Sequence, residues 1–519
     1  MLESGAQLLL DPAVLSVDPV LLQSTGEPSE AVQIALDTIF TPKNLLYILL
    51  STVLGLIAGV FPGLGGPVAL SLLIPITFPL EANVAIMILA ANLGGTAFGG
   101  SITAILLNTP GDAPNAATLL DGYPMTREGR AGEALGASAA ASAGGAILGV
   151  ILLVVTVPFV RQLAVAFHSV DIFWLALLGL ATIAVVTRGS VIADLVAGGF
   201  GLMLAFHGLN PVTGTARFTW DLQYLTSGFP LVPLIIGLFA IAEMIKLMGE
   251  RSTIAESAAV SGGVLKGVRS VATNWSVFLR SALLGWLIGV VPGAGGTVAN
   301  FLAYLQAQHT SDDPDSFGKG NIQGVIASEA ANDAKDGGSM IPTLGLGIPG
   351  SASTAVLVGA FTINGITPGP LLFQENLQIV FIIVFALVVS NLLTSTIGLV
   401  SAKHLVKITK VKVSTVAPIV VIVALFGAFV VRGQINDVLL TIVFGLFGFF
   451  MVKFDLSRVA LIIALVLGPI AEQNFHRALQ ISRGDLSILY SRSLSMLLIA
   501  LTAIVLLLPI YRSLQSRRA

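Results

Sequence analysis

The chain has 519 residues, of which 55% are hydrophobic and only 10% are charged, and its mean hydropathy is +0.92. A soluble domain carries roughly 25% charged residues, so this composition predicts a polytopic membrane protein embedded in a lipid bilayer. The formal net charge of −2 does not indicate nucleic-acid binding, and the absence of cysteine excludes disulfides, thiolate metal sites and cysteine nucleophiles.

The N-terminal extension covers residues 1–43. Residues 1–30 contain acidic side chains but no Lys or Arg, whereas a secretory signal peptide begins with a basic region. Residues 29–40 place apolar side chains at helical spacing. This spacing predicts a short amphipathic helix that lies either along the membrane interface or on the helix bundle.

Twelve long apolar segments follow, although several are shorter than the roughly 20 residues that a spanning helix requires. They cover residues 44–61, 84–98, 134–160, 170–187, 190–208, 229–248, 277–291, 377–401, 413–431, 435–452, 457–471 and 491–511. Gly and Pro interrupt four further segments, as expected for half-helices or re-entrant hairpins that are buried in protein. These cover residues 67–80, 100–110, 296–308 and 339–361.

One eight-residue pattern occurs twice, as GVFPGLGG over residues 59–66 and as GVVPGAGG over residues 289–296. Each copy ends a long apolar run with a proline and glycines, where a continuous helix requires good helix formers. Two matched breaks inside membrane-length segments predict a duplicated transporter whose binding site lies at the breaks. The substrate-binding glycines predicted here are Gly63, Gly65, Gly66, Gly293, Gly295 and Gly296.

A second glycine-rich block follows each copy, as GGSITAILLNTPG over residues 99–111 and GGSMIPTLGLGIPG over residues 337–350. Both blocks contain Gly-Gly-Ser, a leucine and a closing Pro-Gly, and the second is one residue longer. A half-helix that starts inside the membrane presents unpaired N–H donors and the positive end of its dipole, which favours an anion. Unwound carbonyls and side-chain oxygens favour a sodium ion.

We therefore predict that polar and glycine residues in and beside these blocks bind the substrate. They are Asn92, Ser101, Thr103, Asn108, Thr109, Pro110, Gly111, Asn332, Ser339, Thr343, Pro349, Gly350, Ser351 and Thr354. The alternative interpretation is that glycine, serine and threonine only allow close helix packing at these positions.

Four ionisable residues, Glu329, Asp333, Lys335 and Asp336, immediately precede the second block. Ionisable groups at membrane depth are costly, and they are usually functional or mutually paired. Either Lys335 forms a neutralising pair with Asp333 or Asp336, or Asp333 is the ligand of a cation such as sodium. The five histidines lack metal-ligand spacing, so neither a zinc site nor a cofactor is predicted.

The distribution of Lys and Arg predicts the orientation of the chain. The basic loops 246–269 and 403–412 and the C-terminus are predicted to be cytoplasmic, and the N-terminus periplasmic. The segments 44–61 and 277–291 then cross in opposite directions. The predicted fold is therefore an all-α polytopic membrane protein of two inverted-topology repeats, with broken helices, re-entrant hairpins and 12 or more membrane segments.

This orientation divides the chain into five parts. They are an N-terminal extension (1–43), a first repeat (44–248), a cytoplasmic linker (249–276), a second, inverted repeat (277–512) and a basic tail (513–519).

Several long motifs, in the same order, resemble those of a known family over about residues 40–490. The motifs are GVFPGLGGPVA, FGGSITAILLNTPGDAPNAATLLDGYPMTREGRAGEALG, GVVPGAGG, EAANDAKDGGSMIPTLGLGIPGSASTAVLVGAFTINGITPGP and GPIAEQNFHRALQISRGD. The chain resembles the large membrane subunit of the tripartite tricarboxylate transporters. Members of that family commonly carry Asn at the position of Asp333 and small residues at those of Lys335 and Asp336, so ion and substrate preference are not carried over there.

The resemblance implies a secondary transporter of the bacterial inner membrane that a sodium or proton gradient drives. It also implies two partners, a small four-helix membrane subunit and a periplasmic solute-binding protein that delivers a carboxylate. We expect import of an organic carboxylate by alternating access around the paired breaks.

Three alternatives remain, namely a stand-alone cation-coupled carrier, a channel or membrane scaffold, and an intramembrane enzyme. The sequence disfavours an enzyme because it contains no Cys, no pair of His residues and no evident carboxylate dyad. It also disfavours transport driven by ATP, because no GxxxxGKS or GxxxxGKT motif is present.

Overall fold

The computed structural model of the chain describes residues 28–61, 63–183, 191–210, 213–249, 263–292, 295–408 and 413–516. Several predictions therefore fall outside the described residues. They concern most of the N-terminal extension, Gly293, residues 250–262 of the linker and the end of the basic tail. Within the described ranges the chain is helical apart from one two-stranded β-hairpin and connecting turns, which confirms the all-α prediction.

The first half begins with six helices. They are α1 (Pro28–Ile39), α2 (Pro42–Val60), α3 (Gly66–Thr77), α4 (Ala82–Leu107), α5 (Ala116–Arg127) and α6 (Ala131–Ala166). The start of α2 follows from local chemistry, because Thr41 accepts a hydrogen bond from the Asn44 N–H and Pro42 has the backbone angle of a first helical residue. The break predicted over residues 59–66 lies between α2 and α3.

The second half repeats this order of elements. Its helices are α11 (Val264–Thr273), α12 (Trp275–Val290), α13 (Gly295–His309), α14 (Ile322–Leu346), α15 (Ala352–Ile363), the single turn α16 (Leu372–Glu375) and α17 (Leu377–Ile408). In both halves a short helix and a long helix lead to a Pro-Gly break. A return helix, a long buried helix, a second Pro-Gly break, a short helix and a very long helix follow.

The remaining elements flank these two sets. Between them lie α7 (Ser169–Thr182), α8 (Val191–Ala205), the antiparallel strands β1 (Gly208–Leu209) and β2 (Ala216–Arg217), α9 (Leu231–Ile235), a π-helical segment (Ile236–Ile241) and α10 (Ala242–Gly249). After α17 the chain forms α18 (Val413–Arg432), α19 (Ile435–Lys453), α20 (Arg458–Ile481) and α21 (Ser493–Ser516).

Among the described residues, eight helical spans are long and apolar enough to cross a membrane, and nine if the bent pair α11 and α12 is counted as one. The eight are α2, α4, α6, α9 continued through α10, α17, α18, α19 and α20. Large apolar side chains such as Phe159, Ile422 and Phe426 are exposed on these helices, as lipid-facing side chains are. The chain is therefore a membrane protein, whereas a total of 12 or more segments remains a prediction.

The first Pro-Gly break of each half is the tip of a helical hairpin. The helix before this break runs parallel to the long buried helix that comes after the return helix, so the chain reverses its direction at the break. The Ser51 hydroxyl donates to the Ile88 carbonyl oxygen at 2.6 Å, and a Cβ built on Gly59 would lie 2.2 Å from the Thr96 carbonyl oxygen. Residue numbers therefore rise together along α2 and α4, and glycine allows their backbones to touch. The same holds for α12 and α14, where a Cβ on Gly289 would lie 2.3 Å from the Lys335 carbonyl oxygen.

Long helices of each half pack on helices of the other half. The long helix α4 of the first half packs on α17 of the second, and α14 of the second half packs on α6 of the first. Glycine again permits the approach, since a Cβ on Gly149 would lie 2.5 Å from the Ala334 carbonyl oxygen. The amphipathic helix α1 also packs on α17, with Ala31, Ala35 and Ile39 buried, which supports its prediction as a helix on the bundle.

The structure corrects one prediction about the second glycine-rich blocks, because both Gly-Gly-Ser sequences lie inside continuous helices. The breaks come only after Leu107 and Leu346, at Asn108 and Gly347, which both have left-handed backbone angles. Glycine does not interrupt a buried helix when all backbone hydrogen bonds are kept and a neighbouring backbone fills the space. The interruptions expected within residues 100–110 and 339–361 therefore come about two turns after the Gly-Gly-Ser sequences.

The alignment of the two blocks is also corrected. A Cβ on Gly99 would lie 2.5 Å from the Leu56 carbonyl oxygen, and one on Gly338 would lie 2.2 Å from that of Trp286. Gly99 is therefore equivalent to Gly338, and the two blocks align without an extra residue. On the same basis Asn92 is equivalent to Ala331 and not to Asn332.

Candidate functional site

The first hairpin tip lies between breaks from both halves. The Gly63 N–H donates to the Gly111 carbonyl oxygen at 3.2 Å, and a Cβ on Gly65 would lie 2.6 Å from a carboxylate oxygen of Asp112. A Cβ on Gly66 would lie 2.5 Å from Ser353 Oγ, which belongs to the second half. A side chain at Gly65 or Gly66 would displace the polar groups of Asp112 or Ser353, which occupy the space where a Cβ would stand.

The second tip makes the equivalent contacts. A Cβ on Gly296 would lie 2.7 Å from Lys335 Cε and 3.0 Å from Pro114 Cγ, and Asn300 Nδ2 donates to the Pro114 carbonyl oxygen at 3.0 Å. Each tip therefore touches its own long buried helix and the Pro-Gly break of the opposite half. All four breaks meet in one region of the molecule.

The two halves present different side chains at this meeting point. Thr96 lies beside Gly66, and Lys335 takes the equivalent place beside Gly296. The Lys335 ammonium forms an ion pair with Asp336, and both side chains are largely buried, with 11% and 6% exposed. Of the alternatives for the charged run, the pairing of Lys335 with Asp336 is confirmed, and Asp333 is left outside it.

The starts of the short helices after the Pro-Gly breaks are already capped. Asp112 Oδ1 accepts from the Ala113 N–H at 2.8 Å, and Ser351 Oγ accepts from the Thr354 N–H at 3.2 Å. These side chains occupy N–H donors that were expected to bind an anion. In contrast, no described side chain caps the start of α3 after Gly65, which leaves the N–H groups of Gly66 and Val68 uncapped at the first tip, whereas Pro67 has no N–H.

Other predicted site residues bond to the backbone of their own half. Thr103, Thr109, Ser339 and Thr343 donate to carbonyl oxygens within their own break or helix, and Asn92 donates to the Ser51 carbonyl oxygen. Asn108 caps α4, Pro110 and Pro349 follow the two caps, Gly350 packs on Ser339, and Thr354 pairs with Ser351. Asn332 is buried in α14, and Gly295 has open space around it.

Ser101 belongs to a second, buried polar cluster. Its hydroxyl lies 2.7 Å and 2.9 Å from the two carboxylate oxygens of Glu329. Thr118 of α5 and Ser142 of α6 also donate to Glu329. Asp333 lies one turn further along α14, is 2% exposed, and has no hydrogen-bond partner on either oxygen among the described residues.

Sequence reasoning missed several residues at the hairpin tips and around Glu329. At the tips these are Thr96, Asp112 and Pro114, and around Glu329 they are Thr118, Ser138 and Ser142. Two signals were available in the sequence. Asp112 and Pro114 follow the first Pro-Gly directly, and two serines four residues apart in an apolar helix share one face.

The cavities described for this chain lie elsewhere. One of about 660 Å³ is bounded by His207, Phe229 and Pro368 and by the ion pair of Arg217 with Glu472, whose atoms are 2.5 Å apart. A smaller one of about 260 Å³ adjoins it. Neither is lined by a tip glycine. We place the candidate site at the tips because the breaks, the polar side chains and the free helix start coincide there.

Comparison with known proteins gives two kinds of match. A family model described as the tripartite tricarboxylate transporter TctA family matches residues 45–463. An uncharacterised 52.8 kDa protein from the TAR-I ttuC′ 3′ region of Agrobacterium vitis is 32% identical over 497 residues, covering 94% of this chain and 97% of that protein. An uncharacterised protein from the TAR-II ttuC′ 3′ region of the same organism is 33% identical over 234 residues, covering 45% of this chain and 97% of that protein.

Proposed function

The chain belongs to the tripartite tricarboxylate transporter TctA family, and we propose that it is the large membrane subunit of a secondary transporter that imports an organic carboxylate. The family is a family of transporters and not of enzymes. The transporter works in the bacterial inner membrane with a small membrane subunit and a periplasmic solute-binding protein. A sodium or proton gradient drives it.

One observation carries this proposal, namely the meeting of four helix breaks from two similarly built halves. Broken helices that meet at an interface between repeats are typical of transporters that alternate access around a central site. A channel requires a continuous pore, and a scaffold has no need of matched helix breaks in both halves. The contacts of Gly66 with Ser353 and of Gly296 with Pro114 make the region common to both halves.

Inverted topology is supported by the way the two long buried helices meet. Ser101 near the end of α4 touches Glu329 near the start of α14, and a Cβ on Gly324 would lie 2.1 Å from an Asp121 carboxylate oxygen of α5. The start of α14 therefore lies beside the last two turns of α4 and the middle of α5. This arrangement fits two halves that enter the membrane from opposite faces. The distribution of Lys and Arg then favours a periplasmic N-terminus and a cytoplasmic C-terminus.

Lys335 gives the site a positive charge for the substrate carboxylate. It stands at a tip contact, and its present partner Asp336 is adjacent in sequence, so it can exchange one carboxylate for another with little movement. Hydrogen bonds between ionised groups are stronger than neutral ones, particularly where water is excluded. We propose that the substrate binds between Lys335, Thr96 and the uncapped start of α3.

Uptake measurements test this proposal. Cells expressing the chain with its two partner subunits are supplied with labelled mono-, di- and tricarboxylates, with sodium present or replaced by choline. We expect saturable uptake of one carboxylate class that collapses when the cation gradient is removed. Lys335→Gln should raise the KM by about 10- to 100-fold, the equivalent of one charge-assisted hydrogen bond.

Two controls accompany that variant. The double variant Lys335→Gln with Asp336→Asn removes the charge pair without leaving a buried carboxylate, so it separates substrate binding from folding. Lys319→Gln removes an exposed lysine of the loop before α14 and should not change uptake. Non-saturating flux would indicate a channel, and uptake without the binding protein would indicate a stand-alone carrier.

A further inference from the structure

We propose that Glu329 and Asp333 bind a sodium ion in a site that α4, α5, α6 and α14 build together. The inference rests on the proposed function only for its role in coupling, because ion binding is measurable without transport. Glu329 was not among the residues expected to hold a cation, and its neighbours come from the opposite half of the molecule.

Glu329 is fully buried and surrounded by hydroxyl groups. Its Oε1 accepts from Ser101 Oγ at 2.7 Å and from the Thr118 hydroxyl, and its Oε2 accepts from Ser142 Oγ at 2.9 Å. These three donors are neutral. The first half therefore supplies oxygen atoms around a carboxylate of the second half but no positive charge.

Asp333 and Ser138 add buried oxygen atoms that have no hydrogen-bond partner among the described residues. Asp333 lies four residues after Glu329 on the same face of α14, beside Ser142, and both of its carboxylate oxygens are buried without a hydrogen bond among the described residues. Ser138 Oγ lies beside the Glu329 carboxylate, is equally buried, and makes no hydrogen bond within 3.5 Å in the described part of the chain. Buried polar atoms are nearly always partnered, so three such oxygens in one place indicate a missing ligand.

The charge balance indicates that this ligand is a cation. Lys335 is engaged with Asp336, and no Lys, Arg or His within the described ranges lies within 4.0 Å of the Glu329 or Asp333 carboxylate. Two carboxylates removed from water without a positive partner are strongly unfavourable. An ion between them neutralises both and uses their free oxygens.

The donor atoms favour sodium. All of them are carboxylate or hydroxyl oxygens, which bind hard cations and not soft transition metals. Magnesium keeps several water molecules and demands octahedral geometry, whereas the residues of this cluster are all buried between helices. A monovalent ion also leaves more readily, as an ion that drives repeated transport cycles must.

The ion site touches the substrate region through the start of α5. Asn115 Nδ2 donates to Ser101 Oγ at 2.8 Å, and Thr118 lies one turn later. Pro114, immediately before Asn115, touches the second tip at Gly296. An ion that draws Ser101 and Thr118 toward Glu329 therefore fixes the break against which that tip packs.

Binding of ²²Na⁺ to the purified full chain, with any subunit that co-purifies, tests the inference. We expect saturable sodium binding that potassium does not displace. Glu329→Gln and Asp333→Asn should each weaken it by about tenfold or more, and Ser142→Ala by a smaller factor. Ser495→Ala is the matched control, because Ser495 is a buried serine of α21 whose hydroxyl donates to the Asp171 carboxylate of α7, and neither helix contributes to the cluster.

Three results would overturn the assignment: no sodium binding by the wild-type chain, binding by both carboxylate variants that is as tight as that of the wild type, or preferential binding of calcium. If a carboxylate variant does not fold, the comparison of Ser142→Ala with Ser495→Ala decides, since both keep Glu329 and Asp333. Sodium binding that depends on Glu329 without carboxylate uptake refutes the proposed function alone. Sodium-driven uptake with unchanged binding in the variants refutes the ion site alone.

Discussion

At the scale of single residues, Asp121 joins the two halves through one carboxylate. Its Oδ1 accepts from the N–H groups of Gly318, Gly320 and Asn321 at 2.8 to 2.9 Å, and its Oδ2 accepts from the Tyr304 hydroxyl at 2.8 Å. Removing the carboxylate leaves buried donors without an acceptor. We expect Asp121→Ala to lower the free energy of unfolding by about 3 kcal/mol, seen as a lower melting temperature in detergent.

Asp485 provides the comparison for that variant. Its side chain is exposed, and its carboxylate accepts hydrogen bonds from the N–H and the hydroxyl of Ser487, two residues away. Because water replaces these bonds when they are lost, Asp485→Ala should leave the melting temperature close to that of the wild type. Equal melting temperatures for the two variants would mean that Asp121 does not join the halves.

At the scale of helices, the contact between α2 and α4 depends on glycine. A Cβ on Gly59 would lie 2.2 Å from the Thr96 carbonyl oxygen, which belongs to the backbone and cannot turn aside. Gly59→Ala must therefore push the tip away from α4. We expect a loss of about 1 to 3 kcal/mol in stability, together with strongly reduced uptake, measured by melting temperature and by carboxylate transport.

Gly199 of α8 is the matched control, because a Cβ there meets nothing within 4 Å. Gly199→Ala should be neutral or slightly stabilising, since alanine favours a helix more than glycine does. Normal uptake by Gly59→Ala would show that the tip does not need its close contact with α4.

The sequence predicted the hairpin tips better than the breaks that follow them. Pro and Gly at positions 61–66 and 291–296 break a helix from local chemistry alone. The Gly-Gly-Ser sequences looked like breaks for the same reason, but tertiary contacts decide there. Gly99 stays helical because the Leu56 backbone covers it, and no local pattern reports that contact.

The residues of the candidate site were also predicted only in part from the sequence. Gly63, Gly65, Gly66 and Gly296 lie at the meeting of the breaks, and the pairing of Lys335 with an adjacent aspartate was one of two alternatives considered. The hydroxyl groups around Glu329 come from helices about two hundred residues earlier in the chain. Only the folded molecule brings them together.

At the scale of the whole molecule, the proposed inversion makes a prediction about sidedness. The chain has no cysteine, so a single introduced thiol reports its own location without background. Arg127 at the end of α5 and Glu375 before α17 are both exposed. In intact cells whose outer membrane is permeable, a membrane-impermeant maleimide should label Glu375→Cys and leave Arg127→Cys unlabelled until the inner membrane is opened.

Labelling of both thiols from one side would contradict the inversion. Labelling of Arg127→Cys alone would keep the inversion and reverse the orientation that the basic loops predict. Carboxylate uptake should be measured for both cysteine variants, because the labelling result applies to the native topology only if the variants still transport.

The packing of α4 of the first half on α17 of the second half has a consequence for the order in which the protein assembles in the membrane. A membrane protein is synthesised from its N-terminus, and 94% of the apolar stretch of α4 is buried in the finished fold. Much of the surface that covers α4 belongs to α17, which leaves the ribosome only after most of the second half. The central helix α4 of the first half is therefore incompletely covered in the bilayer until α17 has been synthesised. The assembly of the first half is completed only then.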